Sequence, residues 1–159
     1  MAVVLKGVAK MQDRMNAAMA RMGVVTMDGL IEGSIIIRRS TEDDTPITPL
    51  DTGNLRASWF TATPRGSVNS NGAFNNKNGD ASKMKQNHSK VLSQEKTTVK
   101  SRTSPTISLG FSANYSGYVH EMMGVVWQRP GSGSWFLASA LMRTKKQVLE
   151  AIRIRAKIR

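Results

Sequence analysis

Val4, Val8, Met11, Met15, Ala18, Met22 and Val25 recur at spacings of four and three along the first part of the chain. That spacing lines them up on one side of an α-helix. Lys6, Lys10, Asp13, Arg14 and Arg21 fall mostly off the stripe. The pattern predicts a helix from residue 3 to about residue 39, about 54 Å long at 1.5 Å per residue. So long a helix is unusual in a chain of 159 residues, and its stripe needs a long partner. The C-terminal helix and another subunit are the two candidates. Methionine dominates the stripe and packs adaptably on irregular surfaces, which makes Met11, Met15 and Met22 candidate inter-subunit contacts. Gly23, Gly29 and Gly33 each weaken a helix by roughly 1 kcal/mol relative to alanine. They predict a bend or break between residues 23 and 33.

STEDDTPITP, residues 40–49, stops the helix, because neither Pro46 nor Pro49 can continue it. PLDTGNLRASW follows. Asp51 and Thr52 offer acceptors to nearby backbone N–H groups, and Gly53 permits a positive φ. Leu55, Ala57 and Trp59 then alternate with Arg56 and Ser58, predicting a strand from Asn54 to Thr63. Asp51, Thr52 and Gly53 read as a structural hinge between helix and strand. Arg56 is a candidate inter-subunit contact.

Residues 66–98 are rich in Asn, Ser, Gly and Lys and poor in apolar side chains. Such a segment buries too little to offset its ordering entropy, so a long mobile loop is expected. Lys77, Lys83, Lys85, Lys90, Lys96 and Lys100 charge it, and they are candidates to face DNA or a partner. Residues 98–113 return to β character, with an edge position or an irregularity at Pro105, and are expected to pair with the first strand. A short helix over 115–123, closed by Gly124, and a turn-rich loop over 127–133 come next. The last helix starts near Trp135, with Ser132 or Ser134 as its N-cap. Its buried face is Phe136, Leu137, Ala140, Leu141, Val148, Ile152 and Ala156. The expected class is α+β: a long N-terminal helix, a small antiparallel sheet with a long hairpin loop, a short helix and a C-terminal helix. It forms one domain over 1–159 with a mobile basic insert at about 66–98.

The chemistry of a catalytic site is hard to find. There are no cysteines, so disulfides and thiolate metal sites are excluded. His120 and Glu121 begin like HExxH, but the fifth position is Gly124. Glu42, Asp43 and Asp44 are adjacent and do not converge as an acid–base pair must. Gly131 and Gly133 lack the Lys and Ser/Thr of a phosphate loop, and Ser132 lies in GSG, outside any GxSxG. No enzymatic activity, metal or cofactor is expected. Nor is a membrane segment, for lack of an apolar run of about 18 residues; the opening MAVVLKGVAKMQ turns polar too soon for a secretory signal.

The net charge is +12 and lies entirely beyond residue 64: residues 1–64 carry seven basic and seven acidic side chains, residues 65–159 sixteen and four. That asymmetry points to a polyanionic neighbour, either nucleic acid or an acidic protein surface. No nucleic-acid reading module accompanies it, which leaves non-specific phosphate attraction.

Two elements carry a family resemblance. One is PxDTGxLRxS, at Pro49, Asp51, Thr52, Gly53, Leu55, Arg56 and Ser58. The other is YxxYVHE followed by a glycine and PGxGxxFLxxAL, at Tyr115, Tyr118, Val119, His120, Glu121, Gly124, Pro130, Gly131, Gly133, Phe136, Leu137, Ala140 and Leu141. In this order they resemble the neck, tail-completion or head–tail joining proteins of tailed bacteriophages. The resemblance implies a structural virion protein made in the host cytoplasm. It would form a homo-oligomeric ring, usually hexameric, between the head connector or adaptor and the tail terminator or tail tube. Double-stranded DNA would pass through it by non-specific contacts. The insert at 66–98 is longer than the family pattern, and no role is carried over to it. A non-specific DNA-binding architectural protein is the alternative, which explains the charge but not the two motifs.

Overall fold

A computed structural model describes residues 8–68, 72–77 and 79–156. Helix α1 spans Val8–Asp43 without interruption. No break occurs at the glycines, and the final helix α5, Phe136–Ala156, lies where the side chains of Gly29 and Gly33 would be. A Cβ on Gly29 would stand 2.7 Å from Ile152 Cα, and one on Gly33 would stand 2.8 Å from Val148 Cγ1. The helix-propensity cost of glycine is thus set against close packing of two antiparallel helices. Small hydroxyl residues share this seam. Ser34, Thr41 and Thr144 are buried, and each donates to a carbonyl of its own helix at 2.7 Å (Ile31, Arg38 and Ala140). Turning inward on its own backbone lets a hydroxyl be buried without an orphaned donor.

The sheet is antiparallel, in the order β2–β1–β3, with β1 Trp59–Thr63, β2 Gly66–Ser67 and β3 Ser108–Phe111. The expected pairing of the two main strands holds, with Trp59 opposite Phe111 and Ala62 opposite Ser108. Both are shorter than the sequence implies. Residues Asn54–Ala57 form a single helical turn, α2, entered through Gly53 at φ 82°. Leu55 and Trp59 are four apart, a spacing that suits either period. Local hydrogen bonds, Ala57 N–H to Gly53 O and Ser58 N–H to Asn54 O, both 3.0 Å, select the helix.

All five residues of β1 are buried, as befits a central strand covered on both faces. Trp59 packs on Ile37 of α1 and Ala140 of α5. Its ring meets Phe111 edge-on at 5.2 Å, and Phe111 meets Phe136 at 5.4 Å. Phe111 therefore joins this cluster to a second one built on Leu55, Ala113 and Phe136.

The mobile insert is the main correction. Residues Ala81–Lys100 form a 20-residue helix, α3, lying against all three strands. The final residues of α3 also take the place of the expected start of the second strand. Met84, His88, Val91, Leu92 and Val99 recur at helical spacing and are among its buried or half-buried positions. His88 Nδ1 is 2.6 Å from Ser112 Oγ, whose hydroxyl lies 3.1 Å from Ser58 O and donates to it. The imidazole must then donate to Ser112, so one polar chain crosses from α3 through the end of β3 to the start of β1. Upstream, the buried Asn54 amide donates to Asn75 O at 3.1 Å and accepts from Asn75 N–H at 2.6 Å. Gly72 N–H donates to Ala57 O. These bonds and the buried face of α3 offset the ordering entropy that the composition alone does not cover.

The short helix α4, Ser116–Glu121, is where the sequence puts it, with Gly124 beyond it at φ 73°.

Candidate functional site

The two motif regions, about sixty residues apart, meet in space. Ile47 N–H donates to Gly131 O at 2.9 Å, and Gly133 N–H donates to Ile47 O at 3.3 Å. Gly133 is required here, since a Cβ would lie 2.9 Å from Pro46 Cβ. This clasp brings loop 49–55, the start of α3, α4 and residues 126–128 around one groove of about 360 Å³. Leu50, Leu55, Met84, Val119 and Val126 give it apolar walls; Asp51 and Asp80 are the charged residues among its lining. Burial, and then the negative charge of Asp51, push the Tyr115 phenol above its ordinary value. Tyr115 thus stays a neutral hydroxyl on an apolar wall.

Beside the groove, α4 holds the start of α5. Trp135, at φ 59°, donates its N–H to His120 O at 2.7 Å. Ala138 N–H donates to His120 Nε2 at 3.3 Å. The imidazole therefore caps one of the free donors in the first turn of α5, in place of the expected Ser132 or Ser134. Ser134 donates instead to Met122 O. His120 rests edge-on against Phe136 at 5.0 Å and Trp135 at 5.4 Å. Burial holds its pKa below the usual histidine value, partly opposed by Glu121. As an acceptor at Nε2 it must be neutral, which both the burial and the positive helix end favour.

The C-terminal end of α1 is gathered by arginines. Arg143 donates to Thr45 O at 2.8 Å, Asp44 O at 3.0 Å and Ser40 O at 3.2 Å. Arg129 Nη2 reaches Glu42 O at 3.4 Å. Both meet the carbonyl end of the helix, where cations are favoured. Arg56 Nη2 pairs with Glu42 Oε2 at 2.7 Å, and Arg38 Nε stands 3.4 Å from Glu42 Oε1. Arg56, read from sequence as an inter-subunit contact, is thus engaged within its own chain. Its Nε is buried without an acceptor among the described residues.

Asp51, Thr52 and Gly53 bend the chain into α2, and Thr52 Oγ1 accepts from Asn54 N–H at 3.4 Å. Their place on a groove wall was not visible in the sequence. Met11, Met15 and Met22 are exposed on the part of α1 that extends past α5. Lys83, Lys85, Lys90 and Lys100 are exposed on α3, Lys96 is half-buried there, and Lys77 is exposed ahead of it. The sequence reading also missed Asn54, Arg129, Arg143 and the capping role of His120. Among the described residues, no group of three or more His, Asp or Glu could hold a metal ion, and no helix is long and apolar enough to cross a membrane.

Comparisons with protein-family models, with curated proteins and with solved structures return no match to the chain.

Proposed function

We propose that this chain is a structural virion protein of the neck of a tailed bacteriophage. It assembles as a ring, hexameric by resemblance, between the head connector or adaptor and the tail, and leaves a passage for DNA. The observation that carries the reading is the exposed methionine face of α1. Met11, Met15, Met19 and Met22 are 54–60% exposed on one helix segment, an apolar surface that a monomer leaves wet. The spatial union of the two motifs supports the resemblance from which the reading started. The exposed lysines of α3 suit a wall that passing phosphates slide along without sequence preference.

The α3 lysines also favour a second reading, a non-specific DNA-binding architectural protein. Native mass spectrometry and light scattering of the purified chain separate the two. A DNA-independent particle at a defined multiple of 17.4 kDa supports the neck reading. A monomer that binds duplex DNA tightly, with affinity falling steeply in salt, supports the alternative.

A further inference from the structure

The methionine face and the groove lie at opposite ends of α1. The groove wall at Gly53 adjoins Arg56, which is paired with Glu42. Twenty residues of unbroken helix separate Met22 from Glu42, about 30 Å at 1.5 Å per residue. No chain can lay its own methionines in its own groove. The two surfaces nevertheless match. Met11, Met15 and Met22 share one face; Arg14 and Arg21 border it on one side, and Asp13 lies on the far side. The groove is apolar, and its charged lining residues are Asp51 and Asp80, in a chain whose net charge is +12. Its apolar surface continues outward through Val126, 96% exposed, with Met123 and Tyr118 exposed on the same stretch of chain.

We infer that the groove receives the methionine face of α1 from a second copy of this chain, with Arg14 and Arg21 of that copy beside Asp51 and Asp80. Flexible thioether side chains suit an irregular cavity, and the two charge pairs make the helix face and the mouth of the groove electrostatically complementary. The contact joins two different surfaces of the same molecule. Such a head-to-tail interface repeats until the rotation closes it into a ring. The inference rests on the ring reading and supplies its interface.

The test uses the full chain in two charge-reversed forms, Asp51→Lys with Asp80→Lys, and Arg14→Glu with Arg21→Glu. Each alone raises the half-assembly concentration by at least about tenfold. An equimolar mixture restores assembly, because grooves and helices of opposite sign then alternate. The chain has no cysteine, so Met15→Cys and Val126→Cys give an independent readout at two exposed positions, even if a charge-reversed form fails to fold. Mixed single variants should cross-link to each other, and neither should cross-link to itself. Met15-to-Met15 cross-links would show α1 pairing with α1. That result, or wild-type assembly by folded charge-reversed forms, overturns the inference and leaves the ring standing. A wild-type chain that stays monomeric overturns both.

Discussion

The backbone N–H of Ala138 donates to Nε2 of His120 across 3.3 Å, so a side chain on one short helix closes the N-terminus of another. The bond exists only while the imidazole is neutral. Burial lowers the pKa of both His120 and His88 from the ordinary 6.5. As pH falls the unfolded chain is protonated first, so stability is fully present above about pH 6.5 and declines below it. The melting temperature should be level between pH 8 and 7 and drop between pH 6.5 and 5. His120→Ala should lose about 1–2 kcal/mol at pH 7.5, from the cap and the ring packing. It should also show a shallower drop, read by thermal unfolding across the pH series.

The three glycines of α1 should respond oppositely to the same substitution. A Cβ on Gly23 meets only Pro105 Cγ, at 4.0 Å. Gly23→Ala should therefore stabilise by up to about 1 kcal/mol through helix propensity. Gly29→Ala drives its methyl into the backbone of Ile152 and should cost about 1–3 kcal/mol net. Gly33→Ala meets a side-chain methyl and should fall between the two. Urea unfolding midpoints at constant m-value give the order.

Arg143 should not be replaceable by lysine. Its fork spans the carbonyls of Ser40, Asp44 and Thr45, and an ammonium cannot reproduce that planar geometry. Both Arg143→Ala and Arg143→Lys should cost about 1–2 kcal/mol, given the partial exposure of the site. Salt should reduce that cost only slightly, since direct hydrogen bonds dominate. Denaturation of both variants at low and high ionic strength measures it.

Asn54 should govern whether the chain before α3 stays docked. Asn54→Ala removes a donor and an acceptor from the Asn75 backbone and should cost about 1–3 kcal/mol. Limited proteolysis should then cut near residues 72–80 well before the rest of the chain. Asn54→Asp keeps the acceptor alone and should be intermediate.

Periodicity made α1 and α5 legible in the sequence, because apolar side chains at helical spacing are strong signals, and Gly124 marked the end of α4. The pairing of β1 with β3 followed from alternation. α3 was illegible for a physical reason: its buried face is Met84, His88, Val91, Leu92 and Val99, diluted among lysines and serines. The spacing was present, but the composition resembled disorder. His88 also reads as polar until Ser112 is known to answer it. The groove was hidden more deeply. Asp80 and Met84 belong to the segment read as a loop, Trp127 to the turn-rich loop over 127–133, and Val126 to no assigned element. The clasp between Ile47 and Gly131–Gly133 and the Asn54–Asn75 bonds put them together. Leu141 was read as buried and is 43% exposed, because α1 covers a narrower strip of α5 than the hydrophobic pattern offers.

Two missing side chains also decide how accurately α1 is aimed. Ile152 sits over Gly29 and Val148 over Gly33. If α5 advanced by one turn in either direction, one of these branched residues would lose its glycine and meet Val25 or Ile37 instead. The pair of helices therefore has one lateral setting. From Gly33 to Met11 is about 33 Å along the helix, so a tilt of 10° at this seat would swing Met11 by about 6 Å. A swing that large exceeds the reach of a thioether side chain. Directional accuracy at the far tip is thus set by steric fit near the middle of the rod, and a single added methyl there would be felt at a site it never touches.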